Sequence, residues 1–184
     1  MRKNKNKTAV NTTLRLVFSA LFLALSIILP TIISMGSQRL GQVLLPMHIP
    51  VMLCGFTCGT PYGLAIGFTA PLLKSILTGL PHMTSAVSMA FELATYGAVC
   101  GILYKAFPKK MVFVYPNLII SMVLGRIING VINFLITTSS DNDFVLESFI
   151  TLTTVNAIPG IVIQLAIIPL VILALRKTRF MLNG

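Results

Sequence analysis

The sequence SMVLGRIINGVINFLI, from Ser121 to Ile136, places an arginine in the middle of an apolar run long enough to cross a bilayer. A charge near the centre of a membrane costs roughly 2.5 to 3.5 kcal/mol on insertion scales, so Arg126 needs a partner or a cavity. Asn129 and Asn133 follow it at positions i+3 and i+7 and therefore share one stripe of a helix with it. A guanidinium beside two amides predicts the wall of a polar pocket.

The composition around this stretch is that of an integral membrane protein. Of 184 residues, 55% are hydrophobic and 10% are charged, whereas soluble domains have about 25% charged residues. With about 20 apolar residues needed for each crossing, the apolar runs predict an all-α membrane protein, a six-transmembrane-helix bundle forming a single domain over residues 1–184. The predicted helices cover about 14–34, 46–58, 62–77, 85–104, 115–137 and 149–175.

Prolines and glycines divide these runs. Gly59, Thr60 and Pro61 predict a break between the second and third helices. Pro71 is expected to kink or interrupt the third helix, and Pro159-Gly160 and Pro169 are expected to interrupt the sixth.

The distribution of basic residues predicts the orientation in the membrane. Eleven lysine and arginine residues fall on the N-terminal segment, the connector after the fourth helix and the C-terminal segment, whereas Arg39 alone lies in a loop of the opposite side. By the positive-inside rule, both termini are predicted to be cytoplasmic. Nucleic-acid binding is not expected from the net charge of +10, because no aromatic residues are interleaved with the basic ones.

The sequence contains no recognisable catalytic or metal-binding motif. Cys54, Cys58 and Cys100 fall within predicted helices and are interpreted as buried packing residues, since no further ligands have metal-binding spacing. A phosphate-binding loop, a nucleophile elbow and paired carboxylates are also missing from the sequence. We therefore predict neither enzymatic activity nor a cofactor.

Three ionisable residues remain inside predicted helices: Lys74, Glu92 and Arg126. Lys74 lies near a helix end, from which its ammonium can reach the headgroups. Glu92 and Arg126 lie at comparable depth, and a purely structural ion pair between them is one interpretation. Tyr96 follows Glu92 at i+4 and adds a hydroxyl to the same surface, which favours a binding site as the other interpretation.

Further polar residues are predicted to lie in the outer half of the bundle. Asn156 falls near the break at Pro159-Gly160, and His48 and His82 occur in the segments PMHIP and LPHM. Amides also hold helices together, and a histidine at a helix end often caps or packs. The alternative is that these three residues contribute to binding a ligand.

Ala20 and Ala24, in SALFLALS, form a patch of small residues on the first helix. Such a patch allows another helix to approach closely. Packing within the protein is the default expectation, whereas an exposed patch would mark a surface for a partner.

Over essentially its whole length the chain resembles the substrate-binding S components of energy-coupling factor vitamin transporters. The resemblance rests on the Ala20-x-x-x-Ala24 patch, on LPMHIPVMLCGFTCGTPYGLAIGFTAPLLKSILTGLP at 45–81 and on AFELATYG at 90–97. It implies capture of a vitamin near the outer face, using the first outer loop and the fourth to sixth helices. It also implies docking, through Ala20 and Ala24, onto an energy-coupling module of a transmembrane subunit and two cytoplasmic ATPases.

The residues favour a small carboxylate with hydroxyl or amide groups as the ligand. A guanidinium can donate two parallel hydrogen bonds to a carboxylate, and an asparagine side chain can pair with both the donors and the acceptors of a ligand. Pantothenate, carried by one branch of the resembled family, fits this description. Glu92 would repel a carboxylate unless Arg126 or Lys74 neutralises it, so pyridoxine or hydroxymethylpyrimidine is the alternative ligand. A stand-alone proton-coupled carrier, with Glu92 as the protonating group, is the alternative function, and a lipid-modifying membrane enzyme is a further alternative.

Overall fold

A computed structural model describes residues 2–36, 41, 44–138, 158–177 and 181. The described chain is helical and contains no strand. Within the described residues six α-helices follow one another, and a short 3₁₀ turn, Met111–Phe113, precedes the fifth. They are α1 (Arg2–Gly36), α2 (His48–Cys58), α3 (Thr60–Thr78), α4 (Met83–Ala106), α5 (Val114–Thr138) and α6 (Ile158–Lys177).

In the part of the chain that the structure describes, four segments are long and apolar enough to cross a membrane: Thr12–Gly36, Met83–Ala106, Met111–Ile136 and Ile158–Lys177. The helix α2 has 11 residues and spans only about 16 Å at 1.5 Å per residue, which is about half of a hydrocarbon core. The prediction of a helical membrane protein is therefore confirmed, whereas six crossings and the orientation of the termini stay predictions.

The helix α4 lies at the centre of the packing. It packs most extensively against α3 and α5 and also contacts α2, while α1 packs on α2 and α3. Val51, Met52 and Phe56 of α2 are fully buried, so the shortest helix is also the most enclosed. Large apolar side chains are exposed on α1, α5 and α6, as expected where helices face lipid.

Close approach of α2, α3 and α4 depends on glycine. A Cβ atom added at Gly63 would lie 2.6 Å from the carbonyl oxygen of Gly97 and 2.8 Å from the Cα of Gly55. Any side chain at Gly63 would thus collide with backbone. This contact between helix backbones holds α4, and the polar residues on it, against its neighbours.

Several predicted helix boundaries differ from the structure. The helix α1 begins at Arg2 rather than at about residue 14, because extending an existing helix costs little and the preceding residues contain neither proline nor glycine. Of the two effects predicted for Pro71, an interruption is wrong, since α3 is continuous through it, and a kink stays a prediction. Pro71 is buried, and packing on neighbouring helices offsets the lost hydrogen bond.

The break predicted at 59–61 is confirmed: α2 ends at Cys58, and Gly59, with φ of 103°, separates it from α3. In the sixth helix, Pro169 lies inside the continuous α6, so the interruption predicted there is wrong. Pro159 and Gly160 occupy the first turn of the described helix, where proline is tolerated. The predicted start at 149 lies outside the described residues.

Candidate functional site

Glu92 lies on the central helix α4 and is 2% exposed. A buried carboxylate requires donors or a counter-charge. Tyr96, one turn along the same helix, donates its hydroxyl to Glu92 Oε1 over 2.6 Å. Asn129 of α5 donates its Nδ2 to Glu92 Oε2. The carboxylate on α4 therefore accepts one hydrogen bond from its own helix and one from α5.

Arg126 provides the counter-charge. Its Nε lies 3.4 Å from Glu92 Oε1, and its side chain is 20% exposed against 3% for that of Glu92. The two charges that the sequence placed at similar depth therefore form an ion pair between α4 and α5. The arginine is the more exposed partner of this pair.

The amides of α5 continue this arrangement. Asn133 donates its Nδ2 to the backbone carbonyl oxygen of Asn129, over 2.9 Å, and to Asn129 Oδ1. Asn129 is buried and Asn133 is half-buried. The stripe predicted from the spacing thus forms a connected chain of hydrogen bonds that leads from Glu92 towards the end of α5.

His48, the first residue of α2, contributes a third helix to the surroundings of Glu92. Its Nε2 lies 3.8 Å from Glu92 Oε1, and its ring lies 5.3 Å from that of Tyr96, with an angle of 50° between the planes. Neither ring nitrogen has a hydrogen-bond acceptor or donor within the described residues, although both are buried. His48 is therefore a polar group in this cluster whose hydrogen-bonding capacity is not used.

Two other predicted residues do not join the cluster. His82 is exposed in the turn before α4 and lies about 15 Å from Glu92 along the helix axis. Asn156 lies outside the described residues. The structure thus brings together Glu92, Tyr96, Arg126, Asn129, Asn133 and His48 from the predicted site.

Sequence reasoning missed one buried amide and one polar network. Gln164 of α6 is 1% exposed, and its Nε2 has no hydrogen-bond partner among the described residues. Asn117 donates to the carbonyl oxygen of Cys100 over 3.2 Å and so links α4 with α5, with Ser121 alongside. An isolated amide in an otherwise apolar helix was a usable signal for both Gln164 and Asn117.

The three cysteines are buried and unpaired, as the sequence predicted. Ser19 Oγ lies 3.8 Å from Cys54 Sγ, which ties α1 weakly to α2. Among the residues that the structure describes, no group of three or more His, Cys, Asp or Glu could hold a metal ion.

Gly125 gives Tyr96 its position. A Cβ added at Gly125 would meet Cδ1 and Cε1 of the Tyr96 ring and would lie 2.9 Å from Cζ. The ring is 1% exposed and has no open space into which it could retreat. Glycine at this position therefore lets the hydroxyl of Tyr96 reach Glu92.

We expect Gly125→Ala to weaken ligand binding about tenfold, because a displaced Tyr96 no longer holds Glu92, which in turn positions Arg126, by a hydrogen bond to a charged group worth about 1.5 to 3 kcal/mol. Equilibrium binding of radiolabelled ligand to purified protein measures this. Gly36→Ala is the matched control, since nothing lies within 4 Å of its added Cβ. Unchanged affinity in a folded Gly125→Ala protein would contradict the positioning role.

A comparison with known protein families shows the family of the chain. The family model for the ECF transporter, substrate-specific component, matches residues 14–173. The chain belongs to this family. It is consequently a membrane-embedded subunit of a transporter rather than an enzyme, and the family implies an energy-coupling module and a small-molecule substrate as partners. A search of curated proteins and a search of solved structures each found no match.

Proposed function

We propose that this S component captures a small water-soluble vitamin, pantothenate in the first place, in the cluster around Glu92 and Arg126. The substrate class is inferred from one observation, the difference in side-chain exposure between Arg126 and Glu92. Glu92 is enclosed and accepts hydrogen bonds from Tyr96 and Asn129, whereas Arg126 is 20% exposed. The charge that this site offers to a ligand is therefore positive.

Glu92 then has a positioning role in binding a carboxylate. The ion pair between Glu92 and Arg126 Nε fixes one edge of the guanidinium. The same ion pair removes the repulsion that an isolated glutamate would exert on the carboxylate of the ligand. Half-buried Asn133 lies two turns from Arg126 on the same stripe and can meet hydroxyl or amide groups of the ligand. Pantothenate combines a carboxylate with both kinds of group.

Pyridoxine or hydroxymethylpyrimidine is the second candidate substrate, and the rings of His48 and Tyr96 favour it. The centres of these rings lie 5.3 Å apart beside Glu92, with an angle of 50° between the planes, so a heteroaromatic ligand can pack against one ring and use Glu92 as an acceptor. In this alternative the ligand contacts Glu92 rather than Arg126. His82 and Asn156 are included in the proposed site only because the sequence predicts that they lie in the outer half of the bundle.

The proposed topology has one domain over residues 1–184, six crossings, cytoplasmic termini and a ligand site towards the outer face. Support comes from the positive-inside distribution of lysine and arginine. Ala20 and Ala24 of α1 are exposed, which supports α1 as the surface that docks onto the transmembrane coupling subunit and, through it, onto two cytoplasmic ATPases.

Mass spectrometry of the small molecule that co-purifies with the chain tests the substrate. We expect pantothenate, and we expect unlabelled pantothenate, but not pyridoxine, to displace radiolabelled pantothenate from the purified protein. Recovery of pyridoxine or hydroxymethylpyrimidine instead would support the alternative. A stand-alone proton-coupled carrier predicts uptake by the chain alone in liposomes, abolished by a protonophore, whereas we expect no uptake without the coupling module.

A further inference from the structure

The end of the bundle where α4 and α6 end carries a second polar arrangement, about 18 Å along α4 from Glu92. Tyr104, in the last turn of α4, is 6% exposed. The guanidinium carbon of Arg176 lies 5.6 Å from the centre of its ring, and Nζ of Lys109 lies 5.9 Å from it. Two cations from different segments therefore approach one aromatic ring.

A hydrogen bond holds the two cationic residues together. Arg176 donates its Nη1 to the carbonyl oxygen of Lys109 over 2.7 Å, which ties the end of α6 to the connector between α4 and α5. Its Nε and Nη2 are buried without an acceptor in the described part of the chain. The position of the Arg176 guanidinium is thus set by the fold, and the ammonium of Lys109 lies beside the same ring.

The charge of this arrangement has no counter-ion in the described residues. Lys110 and Lys177 are exposed and adjoin Lys109 and Arg176 in sequence, and Lys105, four residues before Lys109, is exposed as well. The sequence has four acidic residues: Glu92, which is paired with Arg126, and three others that fall within 141–147, outside the described residues. Bringing like charges together is unfavourable, and a bound anion would offset this repulsion.

We propose that Lys109, Arg176 and Tyr104 form a binding site for the phosphate of an anionic phospholipid headgroup. The site lies where three candidate membrane spans end or begin, which is the level of lipid phosphates. Ile102, Val112 and Leu173 are large, apolar and exposed in the same helix ends and connector. These side chains can contact acyl chains, which favours a lipid over free phosphate as the source of the anion.

Titration of lipid into the purified full-length chain in detergent, followed by native mass spectrometry, tests the site. Phosphatidylglycerol is compared with phosphatidylcholine of identical acyl chains and with inorganic phosphate. We expect the wild-type chain to bind phosphatidylglycerol preferentially. Lys109→Gln should weaken this binding about fivefold and Lys109→Gln with Arg176→Gln more than tenfold, as expected for loss of one and two cations near an anionic headgroup.

Lys74→Gln, on α3, is the matched control, because it removes the same charge outside this cluster. Equal losses in Lys74→Gln and Lys109→Gln would mean attraction by net charge alone and would overturn the site. Equal binding of the two lipids would also overturn it, as would displacement of phosphatidylglycerol by inorganic phosphate at equal concentration. Lys109 is exposed, so its single variant gives a readout even if replacing Arg176 prevents folding.

Discussion

Pantothenate binding is expected to fall about 100-fold or more when Arg126 and Glu92 are both replaced by glutamine. Loss of a forked, charge-assisted contact to a carboxylate removes about 3 kcal/mol of binding free energy. The double variant is the informative one, because Arg126→Ala alone would leave Glu92 buried without its counter-charge and would destabilise the protein. Equilibrium binding of radiolabelled pantothenate to purified protein measures the change.

The single variant Glu92→Gln separates the two candidate substrates. It keeps Arg126 and an acceptor oxygen for Tyr96, so a carboxylate ligand should still bind within about tenfold of the wild-type affinity. A pyridoxine-like ligand that contacts Glu92 would instead lose most of its affinity. For Arg126→Ala, which removes a positive charge, Lys105→Gln is the control, since Lys105 is exposed in the last turn of α4. Pantothenate uptake unchanged by Arg126→Ala would refute the proposed carboxylate role.

The polar stripe on α5 could be predicted because the spacing of residues on a helix determines which side chains share a face. The 3.6-residue period of a helix places Arg126, Asn129 and Asn133 on one face, and the cost of a buried charge predicts that this face is polar and enclosed. Pairing with Glu92 was one of two interpretations, since sequence gives the depth of a residue along its helix but not which helices are neighbours. The contact between α4 and α5 resolves that question.

Other features depend on contacts that no local pattern contains. Tyr96 reaches Glu92 because Gly125, on a different helix, leaves room for its ring, and the sequence marks Gly125 only as one glycine among thirteen. His48 joined the cluster and His82 did not, although both are histidines beside prolines at helix starts. The continuous course of α3 through Pro71 likewise depends on tertiary packing rather than on propensity.

The ion pair also has a structural effect, and the two roles are compatible. Glu92 and Arg126 link the polar face of α4 to the polar face of α5, so the ion pair fixes the position of one helix along the other. A bridge serving only this purpose would not need the hydrogen bonds of Asn133 to Asn129, nor a buried histidine 3.8 Å from Glu92 whose ring nitrogens make no hydrogen bond within the described residues. These additional groups are why we assign a ligand to the cluster.

Transport is expected to be abolished, with ligand binding unchanged, when Ala20 and Ala24 are both replaced by tryptophan. The two alanines are exposed on α1, which packs through its other residues on α2 and α3. Two indole rings there would prevent another helix from approaching closely, because such contacts need small side chains at the interface. We therefore expect the energy-coupling module to be lost on co-purification and uptake to fall to background.

The control for this result is Ala166→Trp with Ala174→Trp, which places two tryptophans at exposed alanines of α6. That variant should retain both the module and uptake if docking is specific to α1. Binding of radiolabelled substrate to each purified variant distinguishes loss of coupling from misfolding. Transport at the wild-type rate by the protein with Ala20→Trp and Ala24→Trp would mean that the partner contacts another surface, and α1 would then face lipid along its whole exposed side.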